Sequence, residues 1–431
     1  MKDPLSDEER SAILARPRPV RALPVLDGPP SERAPARRYL PLAEPRSADA
    51  GYQPLLAVWE ITLRCDLACR HCGSRAGRAR HDELSTEECI DLVRQLAGIG
   101  TREVALIGGE AYLREDWTTI IRAIKDSGMR PTMTTGGRGL TRERAEAAAA
   151  AGLFAVSVSV DGARETHDRL RGVKGSYDDA FAALAHLRDA GIHVATNTQI
   201  NRLTMPELPS MVDPLGQMKI RSWQLQLTVA MGRAVDEPDI LLQPYDVLEL
   251  HPMLAELVAA AKARGIDVVA GNNVGYFGPH EIALRGRTRS GHSGGCGAGR
   301  SSIGIEADGT IKGCPSLTTK SWAGGNVRET PLKEIWERSQ ALRYTRDRTV
   351  ASLWGYCATC YYAAECKAGC TWTADALFGR PGNNPYCHHR ALEMRRAGLR
   401  ERVVRVEEAP GLPFDQGRFE LVVEPVTVAD S

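Results

Sequence analysis

The sequence has no excess of either charge: 55 lysines and arginines stand against 54 aspartates and glutamates, a net charge of +1. A nucleic-acid partner is read from a strongly basic surface, and a lipid surface from a basic amphipathic stretch. Neither is present, so no nucleic-acid and no membrane partner is expected. No uninterrupted apolar run approaches the roughly 20 residues that cross a bilayer. The first ten residues are charged and no apolar stretch follows them, so no secretory leader is expected and the expected location is cytoplasmic. In that reducing setting cysteines seldom pair and more often bind metal. There are eleven of them, and they organise the rest of the reading.

The 431 residues, 43% hydrophobic, suffice for one large domain and a smaller one. Residues 1–53 are rich in proline and arginine with weak periodicity and read as an extension. From residue 55 a β-α rhythm begins. Strands are expected at 55–63, 103–107, 130–134, 155–160, 193–200 and 222–229. Helices are expected at 86–96, 117–127, 141–151, 177–190, 205–217 and 244–263. Six such units imply parallel strands and a sheet curled into a partial (β/α)6 TIM-type barrel over residues 54–272. The rhythm then gives way to a cysteine-rich region, 273–400. It holds a hairpin at 302–314 around Asp308-Gly309 and a helix at 331–344. The tail, 401–431, reads as a final hairpin around Pro413-Phe414-Asp415.

Arg64-Cys65-Asp66-Leu67-Ala68-Cys69-Arg70-His71-Cys72 follows the first strand, at the strand end where α/β barrels carry chemistry. Thiolates in the spacing C-x3-C-x2-C hold three corners of a [4Fe–4S] cluster and leave its fourth iron without a protein ligand. The alternatives are a zinc site, which wants four ligands and has only His71 nearby, and cysteines packed in a core. Cys89 has a different setting. Ser85-x-x-Glu88 is a capping box, and Cys89, Leu92, Val93 and Leu96 share one helix face, so Cys89 reads as a small buried hydrophobe.

Over about residues 54–390 the sequence resembles the radical S-adenosylmethionine (SAM) superfamily, whose defining motif is this cysteine spacing; His71 takes the ring position before the third cysteine. The resemblance implies that the open iron binds SAM and passes it one electron, releasing a 5′-deoxyadenosyl radical. It makes Cys65, Cys69 and Cys72 catalytic. It implies that Gly108-Gly109-Glu110, ending the second strand, binds the SAM amino group, where glycines permit close backbone approach and a carboxylate accepts from an ammonium. Ser159 and Asp161 in the segment 157–162 are implied to reach the ribose. Thr135, Arg171 and Asn197 are further implied contacts of the methionine carboxylate and ribose, and Gln226 a neighbour of the adenine or active site.

The remaining cysteines are Cys296, Cys314, Cys357, Cys360, Cys366, Cys370 and Cys387. Their order and spacings resemble the seven-cysteine SPASM extension, which implies two auxiliary clusters and hence three [4Fe–4S] clusters in all. Cys357, Cys360, Cys366 and Cys387 would close the outer one. Cys296, Cys314 and Cys370 would hold the inner one with an iron left for a non-cysteine ligand or substrate. His292 is the nearest histidine in sequence for that place; no role is assigned to it, nor to His280, His388 or His389.

A radical step followed by electron acceptance suits oxidative chemistry: a crosslink, a dehydrogenation or an oxidative decarboxylation. SPASM enzymes most often modify ribosomally made peptides, and a peptide is the expected substrate. A flavodoxin- or ferredoxin-type electron donor is expected. A separate peptide-recognition protein is also expected, because the first 53 residues are too short and proline-rich for a winged-helix recognition domain. Pro315 stands where sulfatase-maturating relatives carry an aspartate after the second SPASM cysteine, which disfavours that activity. The start of the core, Trp59 to Cys65 with His71-Cys72, also resembles enzymes that remodel haem-like tetrapyrroles, and small-molecule chemistry is the alternative. A non-catalytic electron carrier is a third reading, against which the Gly108–Glu110 motif speaks.

Overall fold

The computed structural model describes Asp49 and residues 51–275, 277–286 and 295–426. The leader up to residue 48 and His292 lie outside the described residues. No helix among them is long and apolar enough to cross a membrane.

Strands β1 (Leu56–Glu60), β2 (Glu103–Ile107), β3 (Arg130–Thr135), β4 (Ala155–Ser159), β5 (His193–Ile200) and β6 (Ser222–Leu227) pair in parallel, each with the next. Helices α1 (Thr86–Gly98), α2 (Trp117–Asp126), α3 (Arg142–Ala151), α4 (Arg164–Arg171), α5 (Ser176–Asp189), α6 (Leu208–Gln217) and α7 (Val247–Ala263) connect them. This is the expected partial barrel. Four features depart from the expected pattern. β1 ends at Glu60, not 63, and the chain from Ile61 onward runs into the cysteine loop. A further parallel strand, β7 (Asp267–Ala270), follows β6. Helix α4 was not expected. The expected hairpin forms as β8 (Ser302–Ile305) and β9 (Thr310–Lys312), but β8 also pairs in parallel with β1. With β10 (Gly325–Asn326), the whole is one open ten-stranded sheet, edged by β10 and β7.

Alternation along the strands gives the sheet two unlike faces. On one, Leu106, Val158, Trp223 and Leu225 are fully buried under the helices. On the other, register places Thr134 beside Ser157, Ser159 beside Asn197 and Gln199 beside Gln226. A closed barrel fills that inner face with branched apolar residues; here it is lined by hydroxyls and carboxamides.

C-terminal to the sheet, the expected helix 331–344 is broken at Ser339, whose backbone is extended, into α8 (Leu332–Arg338) and α9 (Gln340–Asp347). Helices α10 (Thr371–Phe378) and α11 (His388–Arg396) lead to the antiparallel hairpin β11 (Leu399–Glu407) and β12 (Arg418–Pro425). Helix α1 carries the expected capping box, Ser85 with Glu88. Cys89 lies fully buried beneath it, its Sγ 3.9 Å from the Leu84 carbonyl.

Candidate active site

The cysteine loop is held from several sides. Leu63 O and Gly77 O accept from Gly77 N and Cys65 N, closing the loop on itself. Ala68 N and Arg70 N donate to Arg171 O and Leu170 O at the end of α4. The Arg233 guanidinium donates to Cys69 O at 2.7 Å and Ala76 O at 3.1 Å, and Arg233 N to Cys72 O. Arg70 pairs with Glu237, and Arg75 with Asp236 and Asp415. Arg75, Arg233 and Asp415 were missed by sequence reasoning, since nothing local marks a residue 157 or more positions away as a partner.

Glycines 108 and 109 are required by packing against the cysteine loop. A Cβ on Gly108, whose φ is +151°, would lie 2.1 Å from Thr62 O; one on Gly109 would lie 2.2 Å from Arg64 O and 2.7 Å from Cys65 Cβ. Gly109 N and Glu110 N donate to those same carbonyls. The motif therefore fixes the second strand end against Cys65. Glu110 is buried and accepts from Thr135 Oγ1 and Gly136 N, both at 2.5 Å. Burial pushes its pKa up to about 7. Its carboxylate, that of Asp66 and Cys65 Sγ lie within 4.8 Å of one another, so a cationic group at this point meets two carboxyls and a sulfur.

Asp161 is fully buried and lies 2.6 Å from Arg171 Nη2 and 3.1 Å from His71 Nε2. It also accepts from Gln199 N, while its own N–H donates to His167 Nδ1. The Arg171 guanidinium and then His71 outweigh desolvation and hold the Asp161 carboxyl well below its usual range. Arg171 reaches Cys69 Sγ at 3.7 Å. Desolvation, with Arg171 close by, holds His167 neutral, its pKa lowered to about 4. Asp161 thus binds the third-cysteine loop to α4. Ser159 and Asn197 sit one rung away and hydrogen-bond to each other at 3.0 Å, with Ser157 also donating to Asn197. Gln226 is half-buried on the same inner face.

The thiols fall into three groups by mutual charge interaction: Cys65, Cys69 and Cys72; Cys296, Cys314 and Cys370; Cys357, Cys360, Cys366 and Cys387. The third group lines one cavity together with Phe277 and Tyr362. Burial pushes Cys65, Cys314 and Cys387 up to about 12, so ligation requires their protons to leave. Spacing separates the metal candidates. A tetrahedral zinc with Zn–S near 2.3 Å draws its sulfurs to about 3.8 Å apart. Among the described residues no three cysteine sulfurs lie within 4.8 Å of one another. Groups of three and four thiolates are the donor sets that iron–sulfur clusters take.

Comparison with known proteins agrees with this geometry. The radical SAM superfamily model matches residues 59–212 and the SPASM iron–sulfur cluster-binding domain model residues 296–361. The AdoMet-dependent heme synthase of Methanosarcina barkeri is 31% identical, the alignment covering 78% of this chain and 97% of that one. The PqqA peptide cyclase of Rhizobium meliloti is 29% identical, covering 79% and 89%. The solved structure of native anSMEcpe with bound AdoMet shares the fold, with a TM-score of 0.63 at 16% identity over 80% and 97% of the two chains. The chain thus belongs to the radical SAM superfamily, with a SPASM extension, a family of SAM- and iron–sulfur-dependent enzymes.

Proposed function

We propose that the enzyme oxidatively modifies a ribosomally made peptide. The observation that carries this reading is the inner face of the sheet. Towards the strand ends that hold the cysteine loop, β3 to β6 present Thr134, Ser157, Ser159, Asn197, Gln199 and Gln226, neutral groups that both donate and accept. Such a lining pairs with amides and offers no countercharge of its own to a multiply anionic ligand. The PqqA cyclase, whose name records a peptide, supports the same class.

A cluster on Cys65, Cys69 and Cys72, when bound with SAM, supplies the electron that cleaves the sulfonium and so a radical that takes hydrogen from the substrate. The chain's own residues prepare that event. Glu110 and Thr135 receive the SAM ammonium, whose arrival favours the ionised carboxylate. Ser159 and Asn197, exchanging their mutual bond for ligand bonds, take the ribose. Arg171 stays on Asp161 and holds the loop, and Gln226 lies towards the adenine. Cys296, Cys314 and Cys370, and Cys357, Cys360, Cys366 and Cys387, would hold two auxiliary clusters, which would offer an acceptor for the electron left after hydrogen abstraction, and a flavodoxin- or ferredoxin-type protein would supply electrons. A separate recognition protein presents the peptide.

The heme synthase at 31% identity favours a second reading, oxidative decarboxylation of a tetrapyrrole. One assay separates the two. Anaerobically reconstituted enzyme with SAM and dithionite is given either the peptide encoded by a short reading frame beside its gene or Fe-coproporphyrin III. Mass loss in the peptide, matched by 5′-deoxyadenosine, is expected. Loss of carboxyl groups from the porphyrin with an unchanged peptide would reverse the choice.

A further inference from the structure

The inner cysteine group has three thiols, and the neighbouring group four. Beside the group of three, α9 carries one buried phenol oxygen, that of Tyr344. Tyr344 lies with its ring against Gly313, the residue before Cys314: a Cβ there would sit 2.9 Å from Tyr344 Cε1. The phenol lies within electrostatic range of Cys296, Cys314 and Cys370, the three members of the group. Its Oη is buried and has no hydrogen-bond partner. A buried hydroxyl left without a partner forfeits its hydration for nothing, so such a group calls for a partner.

The ring is fixed where it is. Trp322 packs edge-on against it, centroids 4.6 Å apart, and Trp322 Nε1 donates to Asp375 Oδ2 at 2.9 Å. Arg348 is buried close by, with Nε and Nη1 unpartnered. Its Nη2 donates to Gly369 O at 3.4 Å, which sets the cation beside Cys370 of the inner group.

We propose that Tyr344 Oη is the fourth protein ligand of the inner auxiliary cluster, rested on the reading that Cys296, Cys314 and Cys370 hold one. On ligation the phenol O–H bond breaks, an Fe–O bond forms, the proton leaves to solvent, and no electron is transferred; tyrosinate is an established iron ligand in haem proteins. The group favours Arg348 as its counter-charge, since the guanidinium cannot itself lose a proton.

The test uses reconstituted full-length chain and a background carrying Cys65→Ala, Cys69→Ala and Cys72→Ala, each with and without Tyr344→Phe, which keeps the ring packing. Resonance Raman of the full-length chain should show tyrosinate modes that shift with ring-deuterated tyrosine and vanish in Tyr344→Phe. In the triple-alanine background, Tyr344→Phe should leave one inner-cluster iron without a protein ligand, so that mild oxidation lowers iron from about eight to about seven per chain and raises a [3Fe–4S] EPR signal that the parent lacks. Tyr344→His, offering a replacement ligand, should restore the iron. Eight irons in both forms with no tyrosinate modes would overturn the assignment and reduce Tyr344 to a hydrogen-bond donor. Absence of iron and sulfide from the triple-alanine background would instead overturn the auxiliary-cluster reading on which it rests.

Discussion

Glu60 and Asp161 are both buried carboxyls near strand ends, yet their environments set them apart. Asp161 has Arg171 at 2.6 Å and stays ionised. Glu60 shares Arg80 at 3.4 Å with Glu306, which holds the same guanidinium at 2.9 Å. Desolvation therefore wins at Glu60 and raises its pKa to about 8. A folded-state value above the unfolded one means stability that is complete below the unfolded pKa and lost as pH rises through the folded one. Glu60→Gln should accordingly gain on the wild type by at most about 1.4 kcal/mol per pH unit between about pH 5 and 8, read from urea unfolding of the metal-free chain. A gap independent of pH would contradict this. Asp161→Asn should do the opposite and destabilise the chain by about 3–5 kcal/mol, because Arg171 is left buried without its countercharge. Chemical denaturation measures it, and an unchanged midpoint would show that Asp161 does not hold the loop. Cys65, Cys69, Cys72 and Glu110 were legible in the sequence because their spacing is local. The service of Asp161 to His71 and Arg171 was not, because a ribose contact and a buried ion pair call for the same residue at a strand end.

Among the elements, β1 to β6 were readable from β-branched runs separated by helical periods. The pairing of β8 with β1 was not: four residues, Ser302–Ile305, carry too little pattern to reveal a partner about 240 positions earlier. The terminal hairpin was legible as a hairpin, but its purpose lies in its connecting loop. Asp415 binds Arg75 at 2.8 Å and its carbonyl accepts from Gly232 N. Phe414 packs against Val229 and Met231, with Lys312 Nζ 4.0 Å from its ring centroid. This clamps the cysteine loop to the C-terminal region. Asp415→Ala should leave the far-ultraviolet circular dichroism unchanged, lower the Tm by several degrees and speed loss of iron to a chelator from the Cys65 group ahead of the auxiliary groups. Equal loss from all three would show that the tail has no such role. Gly109→Ala strikes the same loop from the other side. Its Cβ would meet Arg64 O at 2.2 Å, and a cost of about 2 kcal/mol or more, seen in thermal unfolding, is expected.

At the scale of the molecule, one open sheet carries the barrel strands and the first strands of the SPASM region, so the Cys65 loop and the β8–β9 hairpin that leads into Cys314 share one framework. Towards the cysteine loop the inner face of β3 to β6 is lined by hydroxyls and carboxamides, whereas Glu60, Glu306 and Lys312, with Arg80, form a charged cluster beside β1. The family was legible from ten of the eleven cysteines and one glycine-rich turn, whereas the hydroxyls and carboxamides of the inner face are brought together only by register, several strands apart. The account as a whole stands on thiolate geometry at Cys65, Cys69 and Cys72, and the most direct measurement compares wild type with Cys69→Ala after anaerobic reconstitution. Wild type should hold about twelve irons and twelve sulfides per chain and release 5′-deoxyadenosine from SAM under dithionite; Cys69→Ala should release none while keeping about eight irons. Stoichiometric zinc without sulfide in the wild type, or undiminished 5′-deoxyadenosine from Cys69→Ala, would contradict it.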